Sequence, residues 1–516
     1  MMMNWREVMP VSDMSKFREY VDRFEDAVVA FENDEMSIGD FKSISGYFGC
    51  IPQRDGRMVV RFRFTGGKIT SEDIRFILRN AKEHKAELIH LTTGQTVQLH
   101  GLGGKQAADT IRSAVDAGIV TKGAGGNNPR NVSSSPLSGL DSRESFDVLP
   151  FAEATDAYLL GIADSIDLPY KFKVSFSNGT ECGVHATVKD LGFVAQKDGT
   201  FDVYSGGGMG NKGGRIGVKV LGEVPPEKVL YCVEAAVSLY LEYGEGISRA
   251  ESRFRFLRDR LSEDGFLSEF KTRFERSLNR GGLDLDIDPS LRINHENVDA
   301  KGIIPQKNGI LFAVHVPFIG DPCIEDLSKF LKILEDNHGS EIRLSPDQTL
   351  YFINMEKGPA KRLASEYARE AETEFRSSVS CVGYPICRTG RRNSRDILDS
   401  LLQMEMSSGL PDGALPKIGI SGCDSSCACH PLYLIGLKGT TVRLPEGNLP
   451  GFEIHLGGSS VCGQEKLGDI IGSVPESRLL DFFRSVGEEA SKEGFRIWVA
   501  SNRKRFVELV EEFSSK

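Results

Sequence analysis

Four cysteines in the last third of the chain have the residue type and spacing of a metal-cluster site. Cys381 and Cys387 are separated by five residues, and Cys423 and Cys427 by three. Glycine, proline and serine lie between and beside them, so the backbone can wrap closely around an inorganic group. Because four thiolates are the ligand set of a [4Fe-4S] cubane, an iron-sulfur cluster is the leading interpretation.

Two other interpretations of the cysteines stay open at this point. Structural zinc sites commonly use cysteine pairs separated by about two to four residues, and the wider gap of the first pair fits them poorly. Scattered core thiols are the second possibility, and this interpretation suits four further cysteines: Cys50, Cys182, Cys232 and Cys323. Cys429 is a close neighbour of the second cluster pair.

Composition limits the class of protein. The 516 residues carry a formal net charge of -10, and 40% of them are hydrophobic. This length exceeds what one hydrophobic core usually sustains, so we expect two or three domains. Net negative charge argues against a general binder of nucleic acid or acidic membranes. The first residues do not resemble a signal peptide and no long apolar run occurs, so we expect a cytoplasmic protein with reduced thiols.

The chain contains an internal duplication. The string GCIPQRDG beginning at Gly49 returns at Gly302 as GIIPQKNG, a displacement of 253 residues. The segments 89–96 and 342–349 agree on the same displacement, which predicts a register without a gap. Later matches have small insertions: LPYKFKVS echoes LPKIGIS, and FDVYSGG echoes FEIHLGG.

Each copy begins with a recognisable pattern of strand and helix. In the first copy, alternating apolar residues predict a strand over 58–64, a helix over 71–84 and a second strand over 87–99. Two such units could pair about a pseudo-twofold axis, with a site between them.

Three further segments require interpretation. The stretch 122–145 is rich in Gly, Ser, Asn and Pro, but the duplication aligns it with the first cysteine loop, so we interpret it as a site loop. Helical patterns follow at 226–243 and 250–280, and the interleaved Arg, Glu and Asp of the second favour a solvated face. The string GGMGNKGG contains a Gly-x-Gly-x-x-Gly motif, but a strand-like sequence follows it, so we do not interpret it as a dinucleotide site.

The cysteine motifs resemble those of a known family. The strings CVGYPIC and ISGCDSSCACHPLYLIG are similar to the paired cluster motifs of siroheme-dependent sulfite and nitrite reductases. The strings GCIPQRDG, VRFRFTGGKIT, LTTGQTVQLHG, PRNVSSSP, LPYKFK and GGGMG follow in the family's order, so the resemblance covers residues 40–510.

The resemblance implies an α+β fold that is internally duplicated and pseudo-twofold, with two ferredoxin-like half-repeats and two larger α+β domains around a central cofactor site. Residues 1–40 would form an N-terminal extension. In repeat 1, a ferredoxin-like half-domain would span 41–105 and a siroheme- and substrate-binding domain 106–296. In repeat 2, the half-domain would span 297–360 and a [4Fe-4S]- and siroheme-binding domain 361–516.

The resemblance also assigns the cofactor contacts. It implies a [4Fe-4S] cluster on Cys381, Cys387, Cys423 and Cys427, with Cys427 also bridging to the iron of a siroheme. The other expected cofactor-binding residues are Arg54, Arg63, Gln95, Asn131, Gly207 and Gly208.

On the substrate side the resemblance points to Arg61, Arg130, Lys171 and Lys173. Arginine offers a planar fork to oxyanion oxygens, and lysine is a compact cation that can donate a proton. Lysines two apart on a strand share one face and can converge on one ligand. An isolated Lys-x-Lys would more often mark the solvent face of an edge strand.

Some positions depart from the family pattern. His90 and Gly94 stand where the family has arginines that meet siroheme carboxylates, and Tyr170 replaces an arginine before Lys171. Other cations must then supply the countercharge, and Arg54, Arg57 and Arg63 are the candidates.

The resemblance implies a sulfite reductase haemoprotein that reduces sulfite to sulfide with six electrons, because nitrite reductases typically carry Asn at the position of Lys173. Nitrite reduction to ammonia is the nearest alternative, and a siroheme and iron-sulfur protein with a non-reducing ligand-binding or electron-relay role is another. We expect electrons from a ferredoxin or a separate flavoprotein, since no flavin or nicotinamide motif is evident. Four arginines after Cys387 either dock that donor or mark an exposed loop: Arg388, Arg391, Arg392 and Arg395.

Overall fold

Two copies of one α+β unit build the molecule. The computed structural model describes residues 11–179, 184–246, 248–288, 302–316, 321–367, 373–445, 447–461 and 463–515. The strands of the first copy are β1 (Cys50–Pro52), β2 (Met58–Arg63), β3 (Lys68–Ile69), β4 (Leu88–Leu91), β5 (Thr96–Leu102), β6 (Ser133–Ser134), β7 (Val174–Ser177), β8 (Leu191–Ala195), β9 (Phe201–Ser205) and β10 (Val218–Val224). Those of the second copy are β11 (Ile303–Pro305), β12 (Phe312–Val316), β13 (Glu341–Leu344), β14 (Leu350–Met355), β15 (Val379–Ser380), β16 (Ile418–Ser421), β17 (Ile435–Leu444), β18 (Gly447–Leu456) and β19 (Asp469–Pro475).

Helices cover the sheets of both copies. Those of the first copy are α1 (Val11–Glu32), α2 (Ile38–Ser45), α3 (Ser71–Glu83), α4 (Gly104–Asp116), α5 (Leu149–Ile162), α6 (Val229–Tyr243), α7 (Leu257–Arg260) and α8 (Glu263–Arg280). Those of the second are α9 (Ile324–Asp336), α10 (Lys357–Tyr367), α11 (Ser394–Ser408), α12 (Leu479–Ala490) and α13 (Phe495–Ser515). Within the described residues, no helix has both the length and the apolar character needed to cross a membrane.

The sheets repeat with the same strand order. The smaller sheet runs β1-β2-β5-β4 in the first copy and β11-β12-β14-β13 in the second, and all neighbours are antiparallel. The larger sheet runs β6-β7-β8-β9-β10 and β15-β16-β17-β18-β19, with the first three strands parallel and the rest antiparallel. This agreement confirms the duplicated α+β fold.

The sequence explains the placement of α3. The Thr70 hydroxyl caps its first turn by accepting a hydrogen bond from the Asp73 backbone amide, and the Asp73 carboxylate accepts one from the Thr70 backbone amide. Ile74, Ile77 and Ala81 follow at helical spacing and are buried against the sheet.

The two smaller sheets share one hydrophobic core. Phe62 and Leu99 from the first copy belong to the same buried cluster as Phe330 and Phe352 from the second. The long helix α1 adds buried residues to this cluster. The two smaller sheets therefore bury apolar residues in one common core that includes both copies.

Reciprocal hydrogen bonds mark the pseudo-twofold axis. The amide nitrogen of Gln95 donates to the Leu344 carbonyl at 2.8 Å, and that of Gln348 donates to the Leu91 carbonyl at 2.9 Å. The Gln95 side chain also accepts from the Ser134 amide at 3.0 Å. Gln348 accepts in the same way from Ser380, also at 3.0 Å. The same residue in each copy therefore fastens its own larger domain to the opposite smaller sheet.

The first copy also lends a strand to the second. β3 pairs with β13 at the edge of the second smaller sheet, where Ile69 lies opposite Ile342. Gly67, just before β3, has φ 75°, and a Cβ there would lie 2.6 Å from the Leu344 carbonyl oxygen. Only glycine allows the chain to cross so close to β13.

Two sequence predictions differ from the structure. The predicted strand over 87–99 is the hairpin β4–β5 in the structure. Gln95 has φ 54°, and its backbone amide donates to the Thr92 carbonyl, which closes a turn. The register is also not free of gaps. Cys50 pairs with Val60, whereas Ile303 pairs with Val314, so β12 is displaced by 254 residues rather than 253. The extra residue lies in the β11–β12 turn.

The five domain ranges remain a proposal. They are supported by the sheets, since each of the four longer ranges holds the strands of one sheet and only β3 crosses to another range. The beginning of the range 297–360 lies outside the described residues.

We expect Gln95→Met to destabilise the fold, because the Gln95 side chain is fully buried and its amide binds Gly66, Ser134 and Leu344. Leaving these buried groups without a partner should lower the free energy of unfolding by about 3 kcal/mol. Urea denaturation measures the change. The exposed residue Gln403 provides the control, and Gln403→Met should change the value by less than about 0.5 kcal/mol. Equal values for the two variants would contradict the assigned role.

Candidate active site

Adjacent parallel strands bring the two cysteine pairs together. Cys381 directly follows β15, and Cys423 lies two residues after β16, its parallel neighbour. The carboxyl ends of parallel strands meet at one edge of a sheet, which is where sites form in open sheets. The Cys381 amide donates to the Ile420 carbonyl at 3.1 Å, and the Gly422 amide donates to the Cys381 sulfur at 3.2 Å.

Glycines allow the two cysteine loops to touch. A Cβ at Gly422 would lie 2.7 Å from the Arg392 carbonyl oxygen, and one at Gly439 would lie 2.4 Å from the Gly422 oxygen. Gly383 has φ 57°, a conformation that few other residues adopt. The glycines that flank the cysteines in sequence are therefore needed for close packing of the backbone.

The four thiols influence one another electrostatically, which places them around one space. Burial raises the pKa of Cys381 to about 12, and the Cys427 thiol adds to that rise. Burial also raises the pKa of Cys427, to which charge on Cys387 and Cys423 contributes. Lys171 and Lys173 oppose this rise.

The chemistry of the donor set fits an iron-sulfur cluster. Cys381, Cys387, Cys423 and Cys427 supply four sulfur atoms, which is the ligand set of a [4Fe-4S] cubane. Cys381, Cys387 and Cys423 each interact electrostatically with Cys427.

The other cysteines divide as follows. Cys50 and Cys232 are buried, which confirms the core interpretation for them, whereas Cys323 is exposed at the start of α9 and that interpretation was wrong. Cys429 is half-buried next to the cluster loop, and Cys182 lies outside the described residues.

An extended segment before β7 presents Lys171 and Lys173 on one face. Phe172 between them is fully buried against Tyr240 and Phe254. Since alternate residues of an extended chain point to opposite sides, both lysines face away from this core. The Lys173 amide is held by the Asp190 carboxylate at 2.8 Å.

The glycine-rich loop of residues 122–145 holds Arg130. The Arg130 amide donates to the Phe172 carbonyl at 2.8 Å, which sets the two basic segments side by side. Its guanidinium donates to the carbonyls of Gly123 at 3.1 Å and Gly126 at 2.7 Å. The interpretation of this stretch as a site loop is consistent with these contacts.

Arg61 lies on β2 and completes the cationic group. Its Nη1 donates to the Ala124 carbonyl at 2.9 Å. Burial lowers the pKa of Arg61, and the Cys427 thiolate opposes that effect, so this cation from the first copy faces the cluster loop of the second.

Burial, together with crowding of positive charge, lowers the pKa values of Lys171, Lys173 and Arg130. Burial, followed by repulsion from Lys189, lowers the pKa of Lys173 to about 8. Burial and the charges of Arg61 and Arg63 lower that of Arg130 to about 9. Burial, Arg253 and Lys173 lower the pKa of Lys171 well below its usual value.

The cations and Cys427 line an internal space. Arg61, Arg130, Lys171 and Lys173 are half-buried, and Cys427 keeps exposed surface, although protein atoms surround all five densely. The space between these side chains, called the cavity below, lies where the two copies meet, with cations of the first copy on one side and Cys427 of the second on the other.

The sequence pattern did not predict two buried arginines of this region. Arg253 and Arg255 are 7% and 2% exposed, so the prediction of a solvated face was wrong for them. Phe254 between them is buried in the core, which directs both guanidiniums to the other side, beneath Gly208 and Gly210. The alternation of arginine with phenylalanine was the available signal, but the surrounding acidic residues concealed it.

Three of the expected cofactor-binding residues have protein partners. Arg63 is buried and pairs with Asp156 at 2.6 Å. The side-chain amide of Asn131 donates to the Phe64 and Gly94 carbonyls, and that of Gln95 donates to three backbone carbonyls. All three side chains bind protein groups in the structure, and a direct contact with a macrocycle stays a prediction.

Arg54 binds the first cysteine loop instead of lining the cavity wall. Its Nη2 donates to the carbonyls of Arg388 and Gly390, both at 2.8 Å. Its guanidinium also lies 5.1 Å from the centre of the Tyr384 ring. The equivalent Lys307 of the second copy binds Glu144 and, through its amide, the Leu140 carbonyl. Each copy thus clamps the site loop of the other.

Backbone crowding explains Gly207 and Gly208. A Cβ at Gly207 would lie 2.8 Å from the carbonyl oxygens of Thr187 and Lys189. Gly208 has φ 146°, and a Cβ there would lie 3.2 Å from Arg253. The residues that follow form β10 rather than a helix, as expected.

Local partners account for the departures from the family pattern. His90 Nδ1 lies 2.6 Å from Asp321, which also pairs with Arg395 at 3.1 Å. Three cations lie near the ring of Tyr170. The Arg249 and Arg253 guanidinium carbons are 5.2 and 5.8 Å from the ring centre, and Lys171 Nζ is 5.6 Å from it. Arg57 pairs with Asp55 and Glu87 on the surface, so it does not supply countercharge to the cavity.

Comparisons with known proteins agree with this architecture. The nitrite/sulfite reductase ferredoxin-like half domain matches residues 51–115, and the nitrite and sulphite reductase 4Fe-4S domain matches residues 125–278. The ferredoxin-nitrite reductase of Synechococcus elongatus is 26% identical over 424 residues, covering 79% of this chain and 81% of the relative. The chain therefore resembles nitrite and sulfite reductases in both of these domains.

Other relatives carry both activities in their names. The sulfite reductase [NADPH] hemoprotein beta-component of Anoxybacillus flavithermus is 26% identical and covers 75% of this chain and 74% of the relative. The structure of the Mycobacterium tuberculosis NirA protein superposes with a TM-score of 0.76 at 22% identity, covering 93% of this chain and 95% of that one. The similar proteins share the fold and are named as reductases, but their names differ in the substrate.

We expect Arg54→Met to loosen the first cysteine loop, because it removes the donors to Arg388 and Gly390. Amide hydrogen exchange over residues 384–390 should quicken about tenfold, which corresponds to about 1.4 kcal/mol of local stability. Lys307→Met is the matched control and should quicken exchange near residues 139–144 instead. An unchanged loop in Arg54→Met would exclude the clamp.

Proposed function

We propose that this oxidoreductase is a sulfite reductase haemoprotein that converts sulfite to sulfide with six electrons, with nitrite as the alternative substrate. The observation that carries the proposal is the group of cations of the first copy, Arg61, Lys171 and Lys173, which lies close enough to Cys427 of the second copy to interact with it electrostatically. A small oxyanion in this cavity would meet fixed positive charge, which stabilises charge developing on its oxygens.

We propose a [4Fe-4S] cluster on Cys381, Cys387, Cys423 and Cys427, with a siroheme beside Cys427. The donor set fits the cluster, and the basic wall fits a macrocycle that carries several carboxylates. When bound, these groups supply the electrons and the iron to which the anion binds. Arg253 and Arg255 add to the countercharge, and orphaned guanidinium nitrogens on both support a further ligand there.

The protein's own residues would then bind the anion and hold protons. Arg61 and Arg130 are fixed by backbone carbonyls, so each presents its remaining N–H groups without further ordering. Lys171 and Lys173 have lowered pKa values because of burial and neighbouring cations, which makes each a readier proton donor than a free lysine.

Lys173 supports sulfite over nitrite. Its ammonium shares a face with Lys171, so two proton donors would point at one anion. The family resemblance associates asparagine at this position with nitrite reduction. The relatives do not decide between the substrates, because both names occur among them at 26% identity.

A ferredoxin or a separate flavoprotein is the proposed electron donor. Only part of the predicted arginine cluster is available for docking, because Arg391 pairs with Asp424 and Arg395 with Asp321. Arg388 is exposed beside Cys387, and repulsion from Arg388 and Arg249 contributes to the lowered pKa of Lys42, with burial as the largest cause. These three cations support docking of an acidic partner near the cluster loop.

Anaerobic purification followed by a dye-driven assay tests the function. We expect a siroheme-type visible spectrum, four irons per cluster and release of sulfide from sulfite, with nitrite assayed in parallel. Lys173→Asn should raise nitrite turnover relative to sulfite turnover. Colourless protein, or zinc on the cysteines, would remove the basis of the proposal.

The affinity for the anion should fall as the pH rises through about 8, because the lowered pKa of Lys173 removes its charge there. Below that pH the ammonium is present and contributes a charged hydrogen bond, so its loss should weaken binding by about tenfold or more. An optical titration of anion binding from about pH 6.5 to 9.5 measures this. Lys173→Arg keeps its charge throughout and should lack the step near pH 8, and the same step in both proteins would assign the titration to another group.

A further inference from the structure

The orientation of Arg61 depends on a residue of the neighbouring strand. Arg61 on β2 lies opposite Gln98 on β5. The Gln98 amide oxygen accepts from Arg61 Nη2 at 2.6 Å and from Nε at 2.9 Å, a two-pronged contact. The reverse amide orientation would set its NH2 group against these donors, so Arg61 itself selects the orientation of the amide.

The two hydrogen bonds to Gln98, called the fork below, leave specific N–H groups of the Arg61 guanidinium free. Arginine carries five N–H donors, of which Nε and one on Nη2 bind Gln98 and one on Nη1 binds the Ala124 carbonyl. One N–H on each terminal nitrogen therefore remains. Two such donors in one plane match the paired oxygens of a small oxyanion.

His100 holds Gln98 from the other side. It lies two residues further along β5 on the same face, and its Nε2 accepts from the Gln98 amide NH2 at 3.2 Å. His100 is 3% exposed, and among the described residues its Nδ1 has no hydrogen-bond partner. A proton on Nε2 would leave two donors, this N–H and the Gln98 NH2 group, facing each other. The Gln98 amide would then rotate so that its oxygen faces His100, and Arg61 would lose its acceptor.

The surroundings keep His100 neutral. Burial, followed by the nearby His90 and Arg61, lowers the pKa of His100 well below its usual value. The His90 ring stands at 86° to the His100 ring with centres 5.9 Å apart, and Asp321 and Arg395 lie beyond His90. The buried chain His100, Gln98, Arg61 thus has one consistent pattern of donors and acceptors.

We propose that Gln98, held by neutral His100, is a positioning residue that orients Arg61 toward the substrate anion. This inference rests on the proposed function, in which Arg61 contacts the anion. The side-chain oxygen of Gln98 binds Arg61 and its nitrogen binds His100, so Gln98 acts through Arg61 rather than on the anion.

The second copy lacks this device and supplies a control. There His315 and Tyr351 occupy the positions of Arg61 and Gln98, and their rings stack with centres 4.7 Å apart. Tyr351→Phe changes the residue at the equivalent strand position without touching Arg61.

The test compares four variants as full-length holoenzymes: Gln98→Met, His100→Leu, His100→Gln and Tyr351→Phe. We expect Gln98→Met to weaken the binding of sulfite, followed optically, and to raise KM by about tenfold, with kcat changed by less than about threefold. His100→Leu should act in the same direction. His100→Gln should restore binding, because its carbonyl oxygen can accept from the Gln98 amide, and Tyr351→Phe should match the parent protein.

The outcomes separate the two proposals. If Arg61→Gln weakens anion binding while Gln98→Met does not, the positioning role is excluded and the proposed function stands. If Arg61→Gln leaves binding unchanged, the proposed function itself is wrong at this residue. Should Gln98→Met fail to fold, Gln98→Glu replaces it: a carboxylate keeps the fork but cancels the charge of Arg61, and undiminished affinity would then overturn the positioning role.

Discussion

The burial of cations beside the cluster loop is the constraint on which the site depends. Burial lowers the pKa values of Arg61, Arg130, Lys171 and Lys173, and neighbouring cations add to the effect at the last three. Burying cations is costly unless an anion compensates them. The proposed carboxylate-bearing cofactor and the oxyanion would supply that negative charge beside Cys427.

The scaffold meets this requirement through reciprocity. Gln95 and Gln348 each fasten one copy to the other, and Arg54 and Lys307 each bind the site loop of the opposite copy. A shared core joins the two smaller sheets. Because every one of these contacts crosses the pseudo-twofold axis, the cavity walls cannot separate without breaking hydrogen bonds and exposing apolar surface.

Divergence between the copies gave each wall its own chemistry. The cluster cysteines occur only in the second copy, whereas Arg61 is replaced there by His315 on the equivalent strand position. The hydrogen-bonded fork of Gln98 is likewise replaced by the stacked ring of Tyr351. The shared framework fixes where side chains stand, and substitutions at equivalent positions decide whether they carry thiol, cation or aromatic ring.

Local patterns were enough for several conclusions. The duplication, the α+β class and the alternation around Phe172 are properties of neighbouring residues along the chain, so the sequence indicated them directly. The turn at Gln95 was missed because it needs a positive φ that glutamine rarely adopts. The buried Arg253 and Arg255 were missed because acidic neighbours in sequence made the segment look solvated, although those neighbours point elsewhere in space.

The sequence by itself indicated the resemblance to the family and predicted the four cysteines and the accompanying basic residues as a site, because residue type and spacing are enough to suggest a ligand set. Only the tertiary structure decided which cation faces Cys427, that Arg54 clamps a loop, and that Gln98 orients Arg61. These relations join residues that are distant in the chain or lie on adjacent strands. They depend on hydrogen-bond geometry and burial, which come into existence only when the two copies pack together.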